Sequence, residues 1–197
     1  EGVPHVAIDD EGGARSAAEH LLGRGHRRLA VVSMDLALVA ERGVASPERV
    51  AAASYAAVRA RLAGYRAAVE AAGLDWERDV VVYEAPENVP EEGAEAAEAL
   101  LALERPPTAI LAMSDQLAFG VLAHAQRAGL EVPRDLAVAG FDDLPSAQRT
   151  SPPLTTVHQP TVDKGRCAAR LLIAQLRGER PEPSVALPTH LVVREST

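Results

Sequence analysis

The run Leu136-Ala-Val-Ala-Gly-Phe-Asp-Asp-Leu-Pro-Ser-Ala-Gln-Arg-Thr-Ser-Pro-Pro-Leu-Thr-Thr-Val-His-Gln-Pro160 passes from apolar and small residues into two carboxylates and then a proline-rich turn. The uninterrupted stretch Leu136 to Phe141 suits a strand covered on both faces, the habit of parallel sheets. Asp142 and Asp143 then stand at its carboxyl end, where open α/β sheets place their ligands. Pro152-Pro153 imposes an extended path into Leu154-Thr-Thr-Val157, a short strand-like run closed by Pro160.

Outward from this stretch the chain alternates strands and helices. His5 to Ile8 reads as a strand ending in Asp9-Asp10, and Ala14, Ala17, Ala18, Leu21 and Leu22 follow at helical spacing until Gly23 and Gly25. Arg28 to Ser33 is a second strand. Met34 to Ser54 is less regular, with Gly43 and Pro47 as breakers, and reads as a loop or helical excursion. Val58, Leu62, Tyr65, Val69 and Ala72 mark one face of a helix ended by Gly73. Asp79 to Tyr83 is a strand, and a helix from about Pro90 to Glu104 begins with proline and acidic residues. Pro106 to Met113 is a strand running into Ser114, an N-cap candidate for a helix that stops at Gly129. A helix from about Val162 to Arg177 carries Ala168, Leu171, Leu172 and Leu176 as its apolar stripe. Pro181 to Pro183 reads as a linker, and Val185 to Val193 as one last strand.

Composition bounds the function. The 197 residues are 47% hydrophobic, ample for a core, and a net charge of −8 lacks the clustered cations that phosphate binding needs. The chain is therefore not expected to bind DNA by itself. The single cysteine, Cys167, allows no intrachain disulfide or multi-cysteine zinc site and suits a small packed side chain. No signal peptide or long apolar run is read, so neither export nor membrane spanning is expected.

Several segments resemble the effector-binding domain of LacI/GalR-family bacterial transcription regulators. They are Gly140-Phe-Asp-Asp followed by Pro152-Pro-Leu-Thr-Thr-Val157, the Gly12-Gly-Ala14 to Gly25-His-Arg-Arg-Leu-Ala30 unit, Arg61-Leu-Ala-Gly-Tyr65, Thr108 to Asp142, and the closing Leu187-Pro to Arg194-Glu-Ser-Thr197. Only Met34 to Ser54 is clearly unmatched. The resemblance implies an α/β fold of the periplasmic-binding-protein type I kind, a three-layer parallel sheet flanked by helices. It also implies that the chain is a fragment, mainly the C-terminal one of two subdomains. Residues 1–157 would form that subdomain, 158–186 would pack on the absent N-terminal subdomain, and 187–197 would return. The Leu171, Leu172 and Leu176 face would then lack its partner.

Polar groups recur where strands end: Asp9 and Asp10, Ser33, Glu84, Ser114 and Asp115, Asp142 and Asp143. In a parallel sheet these ends share one edge and can converge on one crevice. Carboxylates accept hydrogen bonds from sugar hydroxyls, and an arginine fork supplies matching donors. By resemblance, Arg61 and Asp142 sit at effector-contacting positions, with Ser114, Asn88 and Asp9 as neighbours. Asn88 stands where relatives often place a stacking aromatic. Each has a structural alternative: a turn cap for Asp142, a turn for Asp9 and Asp143, an N-cap for Ser114 and Asp115, a surface ion pair for Arg61. His26 reads as a structural turn residue. His124, His158 and His190 show no metal-ligand spacing, so no metal or cofactor is expected.

Ser114 lacks the Gly-x-Ser-x-Gly elbow of a hydrolase, and no dinucleotide or phosphate loop is present, so an enzyme is not expected. The resemblance implies a cytoplasmic homodimer that binds a small effector, a sugar in the first instance. Operator DNA would be held only through an absent helix-turn-helix domain. Phe119, Leu122 and Leu144 fall near the implied dimer surface. A solute-binding protein of a sugar transporter, which shares the fold, is the alternative.

Overall fold

The computed structural model describes residues 3–179 and 184–197. In chain order the elements are β1 (His5–Ile8), α1 (Asp10–Gly23), β2 (Leu29–Ser33), β3 (Gly43–Val44), α2 (Pro47–Ala51), α3 (Ala56–Ala71), α4 (Trp76–Asp79) and β4 (Val80–Glu84). They continue with α5 (Pro90–Leu101), β5 (Ala109–Ala112), α6 (Asp115–Arg127), β6 (Ala137–Asp142), β7 (Thr155–His158), α7 (Thr161–Leu176), β8 (Ser184–Leu187) and β9 (His190–Val192).

The main sheet has the order β3-β4-β2-β5-β6-β7-β9. Its five inner strands are parallel, and the edge strands β3 and β9 run antiparallel to their neighbours. β2 is buried at every position, as a strand covered on both faces must be. Its successive side chains alternate between the two cores. Val31 joins Leu111 and Phe141 under α1 and α3, together with Leu21, Leu62 and Tyr65. Val32 joins Ile110 and Val138 under α5 and α6, with Leu100, Leu117 and Val121. The result is the expected three-layer α/β arrangement. The chain steps from β2 outward to β4, returns past β2 to β5, and continues to β6 and β7. The order therefore reverses between β2 and β5, and the carboxyl ends of strands at such a reversal are where open α/β sheets place their ligands.

Several expectations are revised. β1 does not join the main sheet with the rest of residues 1–157; it pairs in parallel with β8 in a separate two-stranded sheet. Val185 to Val193 is not one strand but two, β8 in the small sheet and β9 on the edge of the main one, because Pro188 cannot continue a ladder. Met34 to Ser54, read as a loop or helical excursion, supplies the helix α2 and also the edge strand β3, and is pinned by Glu84, which receives two bonds of 2.8 Å from Arg49 and the amides of Leu36 and Glu41. Glu84, at the end of β4, thereby serves the scaffold. The linker expected at Pro181 to Pro183 lies outside the described residues.

Helix α7 has no buried residue, and Val162, Leu172, Ile173 and Leu176 stand exposed on it. Leu122 is core rather than surface, packed among the α5 and α6 side chains, while Phe119 is partly buried beside the same cluster and Leu144 is half-buried. The closing Arg-Glu-Ser-Thr is a docking element: Ser196 Oγ donates to Val138 O at 2.6 Å and Arg24 donates to Thr197 O at 3.0 Å. No helix among the described residues is long and apolar enough to cross a membrane.

Candidate functional site

Arg61 is the hub of the carboxyl edge. It leaves α3 at a buried position and donates through Nε to Asp10 Oδ1 at 2.8 Å and through Nη1 to the carbonyl of Met113. Its guanidinium carbon lies 3.5 Å from the centre of the Phe141 ring, a cation–π contact. The surface ion pair weighed for Arg61 is thus replaced by a buried junction of α1, α3, β5 and β6. Among the described residues Nη2 makes no hydrogen bond, yet it is not a sealed, unsatisfied atom. It remains as a donor not used by the bonds to Asp10 and Met113.

Asp142 closes β6 with φ 122°, and Asp143 follows at φ 54°. Such backbone is costly for a residue with a Cβ, and outliers of this kind gather at functional sites. Asp142 accepts from Gln159 Nε2 at 2.6 Å. Burial pushes its carboxyl above the usual range, while the Arg61 and Lys164 charges and the bond from Gln159 pull it back. Burial also opposes the charge on Asp143, but bonds from Arg194 at 2.6 Å and His158 at 2.9 Å outweigh it and hold that carboxyl below the usual range. Asp143 is the structural turn residue that its position suggested.

Ser114 caps α6, its hydroxyl accepting from the Leu117 amide at 3.2 Å and donating to the side-chain oxygen of Asn88. This joins the ends of β4 and β5 at the strand-order reversal, beside the Met113 carbonyl that Arg61 holds. Among the described residues the bonds of Ser114 go to Asn88 and to the helix. Asp9 caps α1, accepting from Gly12 N at 2.9 Å, and donates its own amide to Leu187 O at 3.0 Å. Its Oδ1 thus holds the helix start. The structure therefore joins Arg61 to Asp10 and Phe141 with Asp142 in electrostatic reach, joins Ser114 to Asn88, and places Asp9 at the cap of α1.

Sequence reasoning passed over Phe141 and Gln159 as site residues and placed Asp10 among the strand-end acids without assigning it a partner. Asp10 carried a signal, as the second acid after a strand; Gln159 carried none. A hollow of about 250 Å³ around Trp76, Leu62 and Val50 shares no residue with this cluster.

Asp115 lies beneath. Fully buried, it accepts from Leu144 N at 2.7 Å and Thr156 Oγ1 at 2.5 Å. Gly140 leaves room for it, since a Cβ there would stand 2.4 Å from Asp115 Oδ1. Burial, reinforced by the Asp142 and Asp143 charges, pushes its carboxyl up to about 7 against the two hydrogen bonds. The folded state thus binds a proton that the unfolded chain releases near its ordinary value of 3.8. The associated stability is full below that value and is lost as pH rises through about 7. Asp115→Asn keeps an oxygen for Leu144 and an amide for Thr156 but cannot ionise. Its melting temperature is expected to fall less than that of the wild type between about pH 4 and pH 7; parallel curves would place the titration elsewhere.

A family model described as a periplasmic binding protein-like domain matches residues 18–197. The HTH-type transcriptional regulator CelR of Thermobifida fusca is 37% identical over 197 residues, covering 100% of this chain and 52% of that protein. A LacI-family regulator from Corynebacterium glutamicum has a crystal structure that superposes with a TM-score of 0.91 at 32% identity, over 100% of this chain and 57% of that one. The complex of regulator CelR with cellobiose superposes with a TM-score of 0.83 at 36% identity, over 100% and 55%. The chain spans about half the length of the curated relatives it matches. The strand order and these likenesses agree, and the chain belongs to the LacI family, its residues 18–197 matching the periplasmic binding protein-like domain.

Proposed function

We propose that this domain senses a small polyhydroxylated effector, a sugar, for a transcription regulator. The observation that carries the reading is the buried Arg61 fork, stacked on Phe141, with a spare donor and the Asp142 carboxyl within its electrostatic reach at the carboxyl edge. An arginine donor next to a carboxylate acceptor matches vicinal hydroxyls, each of which both donates and accepts. Gln159 and Asp10 orient this pair, and Ser114 with Asn88 extends the polar strip. The cellobiose held by the related CelR supports a sugar. Operator DNA is assigned to a helix-turn-helix segment outside this chain, consistent with its net charge of −8. The effector must favour one arrangement of the domain by differential affinity to alter DNA binding.

The domain division follows the two sheets. β1, α7 and β8 belong with a first subdomain, and the exposed Val162, Leu172, Ile173 and Leu176 supply the apolar face for it. The remainder, with β9 returning, is the second subdomain. The cytoplasm is the compartment this reading implies.

The test is a thermal-shift screen of the full-length protein against sugars, nucleosides and amino acids, repeated with Asp142→Ala. A sugar at 100 times its Kd stabilises the native state by about 2.7 kcal/mol. Loss of a charged hydrogen bond is expected to weaken binding by roughly 10- to 100-fold in the variant. A sugar hit of equal strength in Asp142→Ala would move the site, and a hit only among other classes would remove the sugar.

A homodimer is part of the proposal, with Phe119 and Leu144 on the contacting face and Leu122 withdrawn from it as core. Phe119→Asp is expected to shift the sedimenting species toward monomer. An unchanged mass would take Phe119 out of the interface.

A further inference from the structure

We propose that His158 and His190 form a two-histidine site for a borderline-soft divalent cation such as Zn²⁺, where the two sheets are joined. The residues are far apart in sequence, but β7 and β9 pair antiparallel with His158 directly opposite His190. Their ring centres lie 4.9 Å apart with the planes inclined by 38°. A metal about 2.1 Å from an imidazole nitrogen sits about 3.2 Å from that ring's centre, so two rings on one tetrahedral ion have centres about 5 Å apart. The pair already stands at that separation.

A chain of bonds fixes one member. Arg194 Nη2 donates to Asp143 Oδ1 at 2.6 Å, and Asp143 Oδ2 meets His158 Nδ1 at 2.9 Å. Because an ionised carboxylate can only accept, Nδ1 is the atom turned to Asp143, and Nε2 is the ring nitrogen that remains for a metal. A carboxylate behind a histidine in this way orients metal-binding imidazoles and raises their basicity. His190 is exposed and His158 half-exposed, so water can complete the coordination. Arg194 is already engaged by Asp143 and by Leu154 O at 2.7 Å. The position gives the site a consequence: His158 ends β7 just before α7, and His190 opens β9 just after β8. A bound cation would fasten together two of the connections between the main sheet and the small one.

The test is calorimetric titration of the full-length protein with Zn²⁺ in a Cys167→Ser background, which removes the thiol as a competing ligand. One saturable event is expected, with the ring-proton resonances of His158 and His190 moving together, and Mg²⁺, which prefers oxygen ligands, giving none. His190→Ala, at an exposed position, should lower the affinity at least about tenfold, and Asp143→Asn roughly 10- to 100-fold. Absence of a saturable event, or Zn²⁺ binding undiminished in His190→Ala, overturns the proposal.

Discussion

Gly120→Val is expected to cost about 3–5 kcal/mol and lower the melting temperature by about 10 °C. Gly120 lies in α6 where that helix crosses α5. A Cβ there would stand 1.8 Å from the Pro90 carbonyl oxygen and 2.6 Å from the Ala94 nitrogen. Both are backbone atoms, so no rotamer change can relieve the overlap; the helices must separate. Separation would open the core formed by Leu100, Leu117 and Val121 and lose packing on that whole face of the sheet. Gly23→Ala is the control, since nothing lies within 4 Å of a Cβ at that position. It is expected to be neutral or stabilising by up to about 1 kcal/mol through the unfolded chain. Equal thermal stabilities for Gly120→Val and Gly23→Ala would refute the close crossing.

Arg61→Met should remove effector binding and also destabilise the fold by about 3 kcal/mol, the usual cost of stranding one member of a buried ion pair. The side chains of Arg61 and Asp10 are 7% and 15% exposed, so water can replace the lost partner only in part. Arg61→Lys separates two contributions. It keeps the charge for Asp10 but loses the planar stack on Phe141 and the fork that holds Met113 O while presenting Nη2. Most of the stability should therefore return in Arg61→Lys, measured by urea denaturation, while binding in the thermal-shift screen should not. Combining Arg61→Met with Asp10→Leu should recover part of the stability lost in Arg61→Met, because the stranded carboxylate is gone. If the double variant is less stable than the sum of the single losses predicts, the ion pair is not the source of the cost.

The two effects draw on different parts of the sequence, and only one was legible there. Gly120 sits in an apolar helical face, Leu117, Ala118, Val121 and Leu122, whose periodicity predicts the helix but not its neighbour. Arg61 was marked by resemblance, yet its burial could not be read from the face of α3, because an arginine beside an apolar stripe ordinarily reaches solvent. Asp10, its partner, arrives from 51 residues away.

Local pattern by itself determined the alternation of strands and helices, the parallel character of the sheet and the carboxyl edge as the place for polar residues. Burial on both faces writes a continuous apolar run, and helix ends write glycine, proline and capping residues, all within a few positions. Tertiary structure alone decided that β1 and β8 leave the main sheet, that the run Val185 to Val193 breaks at Pro188 and Thr189, and that Leu122 is core. It alone brought His158 opposite His190 and placed Glu84 on Arg49. These outcomes depend on strand partners and on which distant surface covers a side chain, and the same short apolar or charged segment serves equally well in either arrangement.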